Sequence, residues 1–315
     1  MILDPARVKP APSERPILLR LETQATGSCL PASLDSRVPM ERFLMTLAVA
    51  LMALSALAIP YRASGQTTEP EQTPPVDSPS SAPPQAPPPA VARPVSWKLL
   101  APNLIHDQGR IWSFPARLVR GDAWLPTAAV LGTTAALVAL DPTEASYFRR
   151  TSTFHGFNNI FTGNATSLGT LVAPVSLYAF GLIRGDSKMQ RTALLAGEAV
   201  GDAEILTTVW KDTTRRVRPA AVPAGGNYSD TWFESGGSLF RGSGSFPSGH
   251  TIAAFSVATV VARRYGNHRW VPYAAYGMAA LVGFSRLSLC SHFISDVFMG
   301  GALGYSISRF TVLRQ

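Results

Sequence analysis

Residues 247–309, PSGHTIAAFSVATVVARRYGNHRWVPYAAYGMAALVGFSRLSLCSHFISDVFMGGALGYSISR, decide the fold. They hold three apolar runs, at 249–264, 270–286 and 292–309, parted by short polar stretches such as Gly266-Asn267-His268-Arg269. Each run is too long for a typical strand, and none alternates apolar with polar residues, so each is expected to be a helix. Three more runs of the same kind precede them, at 122–140, 167–183 and 191–210, bounded by Gly, Pro, Asn and charged residues. The expectation is an all-α domain, a helical bundle of about six core helices. In the last run Gly300-Gly301 and Gly304 allow close approach of a neighbouring helix. No internal repeat is evident.

The 315 residues are 46% hydrophobic and 15% charged, with a net charge of +8, and the apolar residues concentrate after residue 120. Met40-Glu41-Arg42 precedes the uncharged run Phe43 to Ile59, which has the composition of a signal-peptide core. Ala63-Ser64-Gly65 supplies small residues before a cut at Gln66, so residues 40–65 are expected to be a signal peptide. An uncleaved membrane anchor is the alternative, because the run nearly reaches spanning length. Residues 1–39 have no consistent period and are expected to be a misassigned upstream leader, with initiation at Met40. Residues 66–95 contain ten prolines among Ser, Gln, Ala and Thr, the composition of a Pro-rich disordered linker. The folded domain is therefore expected over 97–315. It opens with a short amphipathic or interfacial segment from Trp97 to Arg120. Of the two cysteines, Cys29 lies ahead of the expected cut, which leaves Cys290 without an intramolecular partner.

Three short patterns carry chemistry: Lys211 with Arg218-Pro219, Pro247-Ser248-Gly249-His250, and Ser285-Arg286 with His292 and Asp296. Three cations neutralise a phosphoryl group, while two histidines supply a nucleophile and a proton donor. Asp296 follows His292 by four residues, which puts both on one helical face, where the carboxylate holds one ring nitrogen protonated and the other presents its lone pair. Pro247 suits a first helical turn, the amides of Ser248 and Gly249 would point at an anion, and glycine permits close approach. The Ser248 and Ser285 hydroxyls are candidate donors, Ser285 equally a helix cap. Arg215 and Arg216 are expected to form a solvated or headgroup-facing rim, and Asp212 to balance nearby charge. Cys290 fits a packed helix start better than a thiol nucleophile. His106, His155 and His268 lie outside the three patterns and are expected at the surface or in structural roles. No His, Asp and Glu cluster has metal-ligand spacing, so neither metal nor cofactor is expected.

Across residues 211–296 these patterns, in this order and with these spacings, resemble the type 2 phosphatidic acid phosphatase (PAP2) and haloperoxidase superfamily. The resemblance implies a helical bundle with the site at the ends of its core helices. It implies that His292 forms a phosphohistidine and that His250 acts as general acid and then as base. Lys211, Arg218 and Arg286, with Ser248 and Gly249, would bind the transferring group. The implied function is an exported phosphatase acting on a phosphomonoester or diphosphate, with the apolar bundle favouring a lipid phosphate. A soluble periplasmic acid phosphatase, a vanadate-dependent haloperoxidase and a silent phosphate-binding scaffold are the alternatives, and the chain is short for a haloperoxidase. The leaving group would be recognised by helix faces and by the loop from Ala220 to Gly244.

Membrane cues oppose one another. Arg110, Arg117, Arg120, Arg184, Lys188, Arg191, Arg263, Arg264, Arg269, Arg309 and Arg314 all fall on one side of a six-span arrangement, which turns the phosphate site outward by the positive-inside rule. An exported linker instead leaves Trp97 outside and sends the first span inward. A soluble exported domain, an extra span or an interfacial first helix would each remove the conflict. Glu198, Asp202 and Glu204 in the third run cost about 3 kcal/mol or more each at mid-bilayer unless they face a polar interior. The near absence of charge elsewhere in the runs favours membrane association, in the periplasm or the cell membrane with the site facing outward. A modest basic charge suits an anionic substrate or lipid headgroups, and without a basic stripe interleaved with aromatics nucleic acid is not an expected partner. The sequence carries no signal for an oligomeric state.

Overall fold

The computed structural model describes residues 93–236 and 242–314. The expected leader, the signal peptide and the Pro-rich stretch up to residue 92 lie outside them. The helices are α1 (Leu100–Trp112), α2 (Phe114–Val119), α3 (Trp124–Arg150), α4 (His155–Ile160), α5 (Gly163–Ile183), α6 (Ser187–Thr214), α7 (Gly249–Arg264), α8 (Trp270–Ser288) and α9 (Ile294–Ser306), with α9 continuing into a π turn, Ile307–Val312. The described residues contain no strand, so the all-helical expectation holds. The six apolar runs correspond to α3, α5, α6, α7, α8 and α9. The largest difference is α3, which continues ten residues past the apolar run and carries Asp141 and Glu144 into the interior.

Helix α7 is the centre of the bundle, packed against α6, α8 and α9, with α5 laid on α6 and α3 on α9. Leu195, Ala199, Ala203 and Leu206 of α6 meet Ile252 and Val260 of α7 and Ile307 and Val312 of the π turn. Gly300 and Gly304 set the spacing of α7 and α9. A Cβ at Gly300 would lie 2.8 Å from the Ser248 carbonyl oxygen, and one at Gly304 would overlap that of Ile252. This close crossing brings the first turn of α7 beside the first turn of α9.

Consecutive long helices run antiparallel. The C-terminal ends of α3, α6 and α8 therefore gather with the N-terminal ends of α5, α7 and α9. Contacts at this shared end include Ser295 N to Asp141 Oδ1 at 3.1 Å and Ser288 Oγ to Asn158 Oδ1 of α4. At the opposite end Lys188 lies 4.6 Å from the Tyr265 ring centroid, Arg264 donates to Thr192 Oγ1 at 3.3 Å, and Arg184 and Arg269 cap α5 and α8.

The acidic residues of α6 explain the first amphipathic segment. Asn103 Nδ2 donates to Glu198 Oε1 at 2.7 Å, Gln108 Nε2 donates to Asp202 Oδ1 at 2.9 Å, and Arg93 reaches Asp107 at 2.6 Å and Glu198 at 3.5 Å. Polar side chains of α1 thus each donate to one oxygen of a carboxylate buried between the helices. Arg93 and Val95, at the end of the Pro-rich stretch, already pack on the bundle.

Helices α3 and α5 are long and apolar enough to cross a membrane, and only 17% of each apolar window is buried in the protein. Leu125 and Leu131 of α3, Leu171 and Val175 of α5, and Tyr273 and Met278 of α8 are all exposed. Cys290 is buried with Leu137, Phe148, Leu287, Ile294 and Phe298, in line with the expected packed position at a helix start.

Candidate active site

His292 lies in the turn before α9, not on the helix, so the expected pairing along one helical face is not how it meets Asp296. Asp296 occupies the third position of α9 and reaches back, its Oδ2 accepting the amide of the N-cap residue Phe293 at 3.0 Å. The same oxygen lies 3.4 Å from His292 Nδ1. Ser245 bridges the pair: its hydroxyl donates to Asp296 Oδ2 and lies 3.3 Å from His292 Nδ1. All three side chains are buried. Nδ1 is therefore the occupied ring nitrogen, and Nε2 makes no hydrogen bond among the described residues. Burial, with Arg218 and Lys211 adding to it against the Asp296 hydrogen bond, lowers the His292 pKa to about 3. The imidazole is neutral at pH 7, as a nucleophile requires.

Helix α7 begins at Gly249 with Ser248 as its N-cap, so Pro247 precedes the helix and does not occupy its first turn. The Ser248 amide, expected to face an anion, donates instead to the Asp296 carbonyl at 3.0 Å, and its hydroxyl accepts from Thr251 at 2.9 Å. The close approach of α9 through Gly300 explains this. The Gly249 and His250 amides, one step on, have no partner among the described residues. His250 Nε2 lies 2.7 Å from Ser167 Oγ and 3.1 Å from the Gly163 carbonyl, both at the start of α5.

The three cations differ in their surroundings. Arg286 is 1% exposed, and its Nη2 donates to the Phe161 carbonyl at 2.7 Å and to Ser285 Oγ at 2.8 Å. Ser285 thus holds the guanidinium and does not cap a helix. Its Nη1 remains free of partners among the described residues, 3.6 Å from where a Gly163 side chain would begin. Lys211, in the last turn of α6, has its Nζ 3.3 Å from the position of a Gly249 Cβ, so glycine there leaves room for the ammonium. Lys211 Nζ and the Arg218 guanidinium make no hydrogen bond or ion pair among the described residues. Both act electrostatically on His250 and on His292. Lys211, Arg218, Arg286, Ser248, Gly249, His250, His292 and Asp296 are thus brought to one end of the bundle.

Sequence reasoning missed four residues here. Arg216, expected in a solvated rim, is 1% exposed and bonds Asp296, Ser295 and Asp141. Its guanidinium lies between the rings of Trp232 and Phe293, at 4.3 and 4.0 Å from their centroids. Ser245, Asp141 and Trp232 were not singled out either. Asp212 accepts the Gly242 amide at 3.0 Å.

A cavity of about 560 Å³ opens from this end between α5 and α6. Lys211, Gly249, His250, Glu204 and Ser167 line one part of it. Leu171, Val175, Leu194 and Val200 line the rest, with Trp97 and Tyr178 at the far side, where Trp97 Nε1 donates to Tyr178 OH at 2.6 Å.

Residues 192–315 match the model of the PAP2 superfamily. A lipid A 1-phosphatase of Porphyromonas gingivalis is 31% identical over 149 residues, which cover 46% of this chain and 29% of that protein. Phosphatidylglycerophosphatase B of Bacillus subtilis is 33% identical over 112 residues, 33% of this chain and 48% of that protein. The chain thus spans less than half the length of either relative. A crystal structure of a transmembrane PAP2-type phosphatidylglycerolphosphate phosphatase from Bacillus subtilis aligns with 68% of this chain and 92% of its own, at 21% identity and a TM-score of 0.34. With its three motifs gathered at one end of a helical bundle, the chain is similar to the PAP2 superfamily over residues 192–315.

Proposed function

We propose that the protein is a phosphatase that hydrolyses a phosphomonoester or diphosphate carried on a lipid, through a phosphohistidine on His292. The observation that carries this reading is the placement of the cavity. Its polar part is formed by His250 and by Lys211, whose Nζ has no partner among the described residues, and it continues as an apolar groove between α5 and α6. A phosphate held at one end then leaves the rest of an amphiphile against leucine and valine side chains. The relatives named for lipid A and for phosphatidylglycerophosphate support the same substrate class.

The chemistry follows from the geometry. His292 Nε2 attacks phosphorus while Asp296 and Ser245 hold Nδ1, and Asp296 stabilises the imidazolium that forms. Lys211, Arg218, Nη1 of Arg286 and the Gly249 and His250 amides carry the charge spread over the equatorial oxygens. His250 protonates the departing oxygen, then takes a proton from the water that releases phosphate from His292. Ser248 shapes the turn that presents these amides.

The outward apolar faces of α3, α5 and α8 support a bilayer setting. Arg184, Lys188, Arg191, Arg263, Arg264 and Arg269 lie at the end away from the site, which by the positive-inside rule supports a site facing outward from the cytoplasm. Phosphate release measured across phosphatidic acid, phosphatidylglycerophosphate, undecaprenyl diphosphate, lipid A and a soluble aryl phosphate, with His292→Ala as control, tests the reading. Turnover of the lipids abolished in His292→Ala is the expected result. Undiminished turnover in that variant overturns the mechanism, and hydrolysis of the aryl phosphate alone overturns the lipid substrate class.

A further inference from the structure

Only one oxygen of the Asp296 carboxylate faces His292. Oδ2 serves His292, Ser245 and the Phe293 amide, while Oδ1 accepts from Arg216 Nη1 at 2.6 Å. Arg216 Nη1 also donates to Ser295 Oγ at 2.8 Å, its Nη2 donates to Asp141 Oδ2, and its Nε donates to Thr231 Oγ1 at 3.3 Å. Asp141 in turn accepts the Ser295 amide at 3.1 Å and the Ser295 hydroxyl at 2.6 Å. Trp232 and Phe293 close both faces of the guanidinium. Asp141, Arg216, Ser295 and Asp296 are all at most 1% exposed.

Arg216 is not among the residues lining the cavity, so it differs from Lys211, which lines it. A planar guanidinium fixed by carboxylates at two of its nitrogens and by rings on both faces has a single orientation. Any turn of it would leave a buried carboxylate unpaired. We propose that Arg216, braced by Asp141 of α3, is a positioning residue for phosphoryl transfer: it fixes the rotamer of Asp296 that aims Oδ2 at His292 Nδ1. The proposal rests on His292 being the nucleophile. The Asp296 carboxylate held in this way also places its charge 3.4 Å from Nδ1, which favours the imidazolium formed when Nε2 bonds to phosphorus. A lysine at this position supplies the charge but cannot span Asp296 and Asp141 with a rigid fork.

The test is steady-state hydrolysis by Arg216→Gln, Arg216→Lys and Asp141→Asn, each alone and combined with Asp296→Asn, in the full-length protein. Arg216→Gln is expected to lower kcat about 10- to 100-fold, the range for residues that orient a reacting group, with KM changed less than about threefold. Arg216→Lys should recover part of the loss, and Asp141→Asn should shift kcat in the same direction. In the Asp296→Asn background none of the three should lower kcat further, because the carboxylate they orient is already disabled. An unchanged kcat, a change in KM alone, or losses that multiply onto Asp296→Asn would overturn the proposal. Should Arg216→Gln fail to fold, the near-isosteric Asp141→Asn decides, and its normal kcat in a folded protein is an overturning result. Activity surviving in His292→Ala counts against the phosphohistidine reading instead, so the two failures are separable.

Discussion

His292 Nδ1 lies 3.4 Å from Asp296 Oδ2 although only the aspartate is helical. The pair forms because Asp296 caps its own helix, and the oxygen that accepts the Phe293 amide is the one turned to the histidine. Asp296→Asn keeps the volume but removes the charge that selects the tautomer. By analogy with the loss when a serine-protease aspartate is amidated, kcat should fall about 10²- to 10⁴-fold with little change in KM. Steady-state kinetics on a soluble aryl phosphate checks it, and a loss below tenfold contradicts a tautomer-selecting role.

The acid dependence of stability follows from the same burial. His292 has a pKa near 3 in the folded chain, below the unfolded value of about 6.5. The unfolded state takes up a proton that the folded state refuses, so this residue costs stability progressively as pH falls from about 6.5 toward 3. Above that window it contributes no slope. Thermal unfolding in detergent between pH 7 and pH 4 should show a shallower fall of Tm in His292→Gln than in the parent chain. Parallel slopes would mean that His292 titrates near its ordinary value.

Arg218 and Arg286 should separate binding from stability. Arg218 has no hydrogen-bond partner among the described residues, whereas Arg286 satisfies the Phe161 carbonyl at the entrance to α5. Arg218→Ala should weaken inhibition by inorganic phosphate while leaving Tm nearly unchanged. Arg286→Ala should weaken it and also destabilise the fold by about 1–3 kcal/mol, the cost of unpairing buried polar groups. Calorimetry and phosphate inhibition constants for both variants provide the check, and equal Tm losses would contradict the distinction.

The helices were legible in the sequence because apolar runs of this length have one outcome. The residues proposed for the phosphate site were legible as a group because they occur in short, regularly spaced patterns. Arg216 was not, since it stands among Arg215 and Arg218 and nothing local distinguishes a buried arginine from a solvated one. Its role depends on Asp141, 75 residues earlier, and on the Trp232 ring, contacts that a single sequence does not encode. Asp141 lay just past the end of an apolar run and looked like a boundary, whereas α3 continues through it. The i,i+4 spacing of His292 and Asp296 gave the right partners by the wrong geometry, a helix face in place of a capping turn.

Gly197 offers the sharpest test of where the apolar part of a substrate sits. It lines the cavity on α6, and a Cβ there meets nothing within 4 Å, so a larger side chain can extend into the groove without disturbing the backbone. Gly197→Leu should leave the phosphate-binding end untouched while filling space between Leu194 and Val200. If lipid chains occupy this groove, kcat/KM for a long-chain phosphatidic acid should fall by about tenfold or more, a loss of roughly 1.4 kcal/mol, while hydrolysis of a soluble aryl phosphate stays within about twofold. Gly197→Ala, which adds one methyl group, should lie between the parent and the leucine variant on the lipid substrate alone. Equal losses on both substrates would point to a general disturbance of α6. No loss on either would place the lipid elsewhere on the bundle.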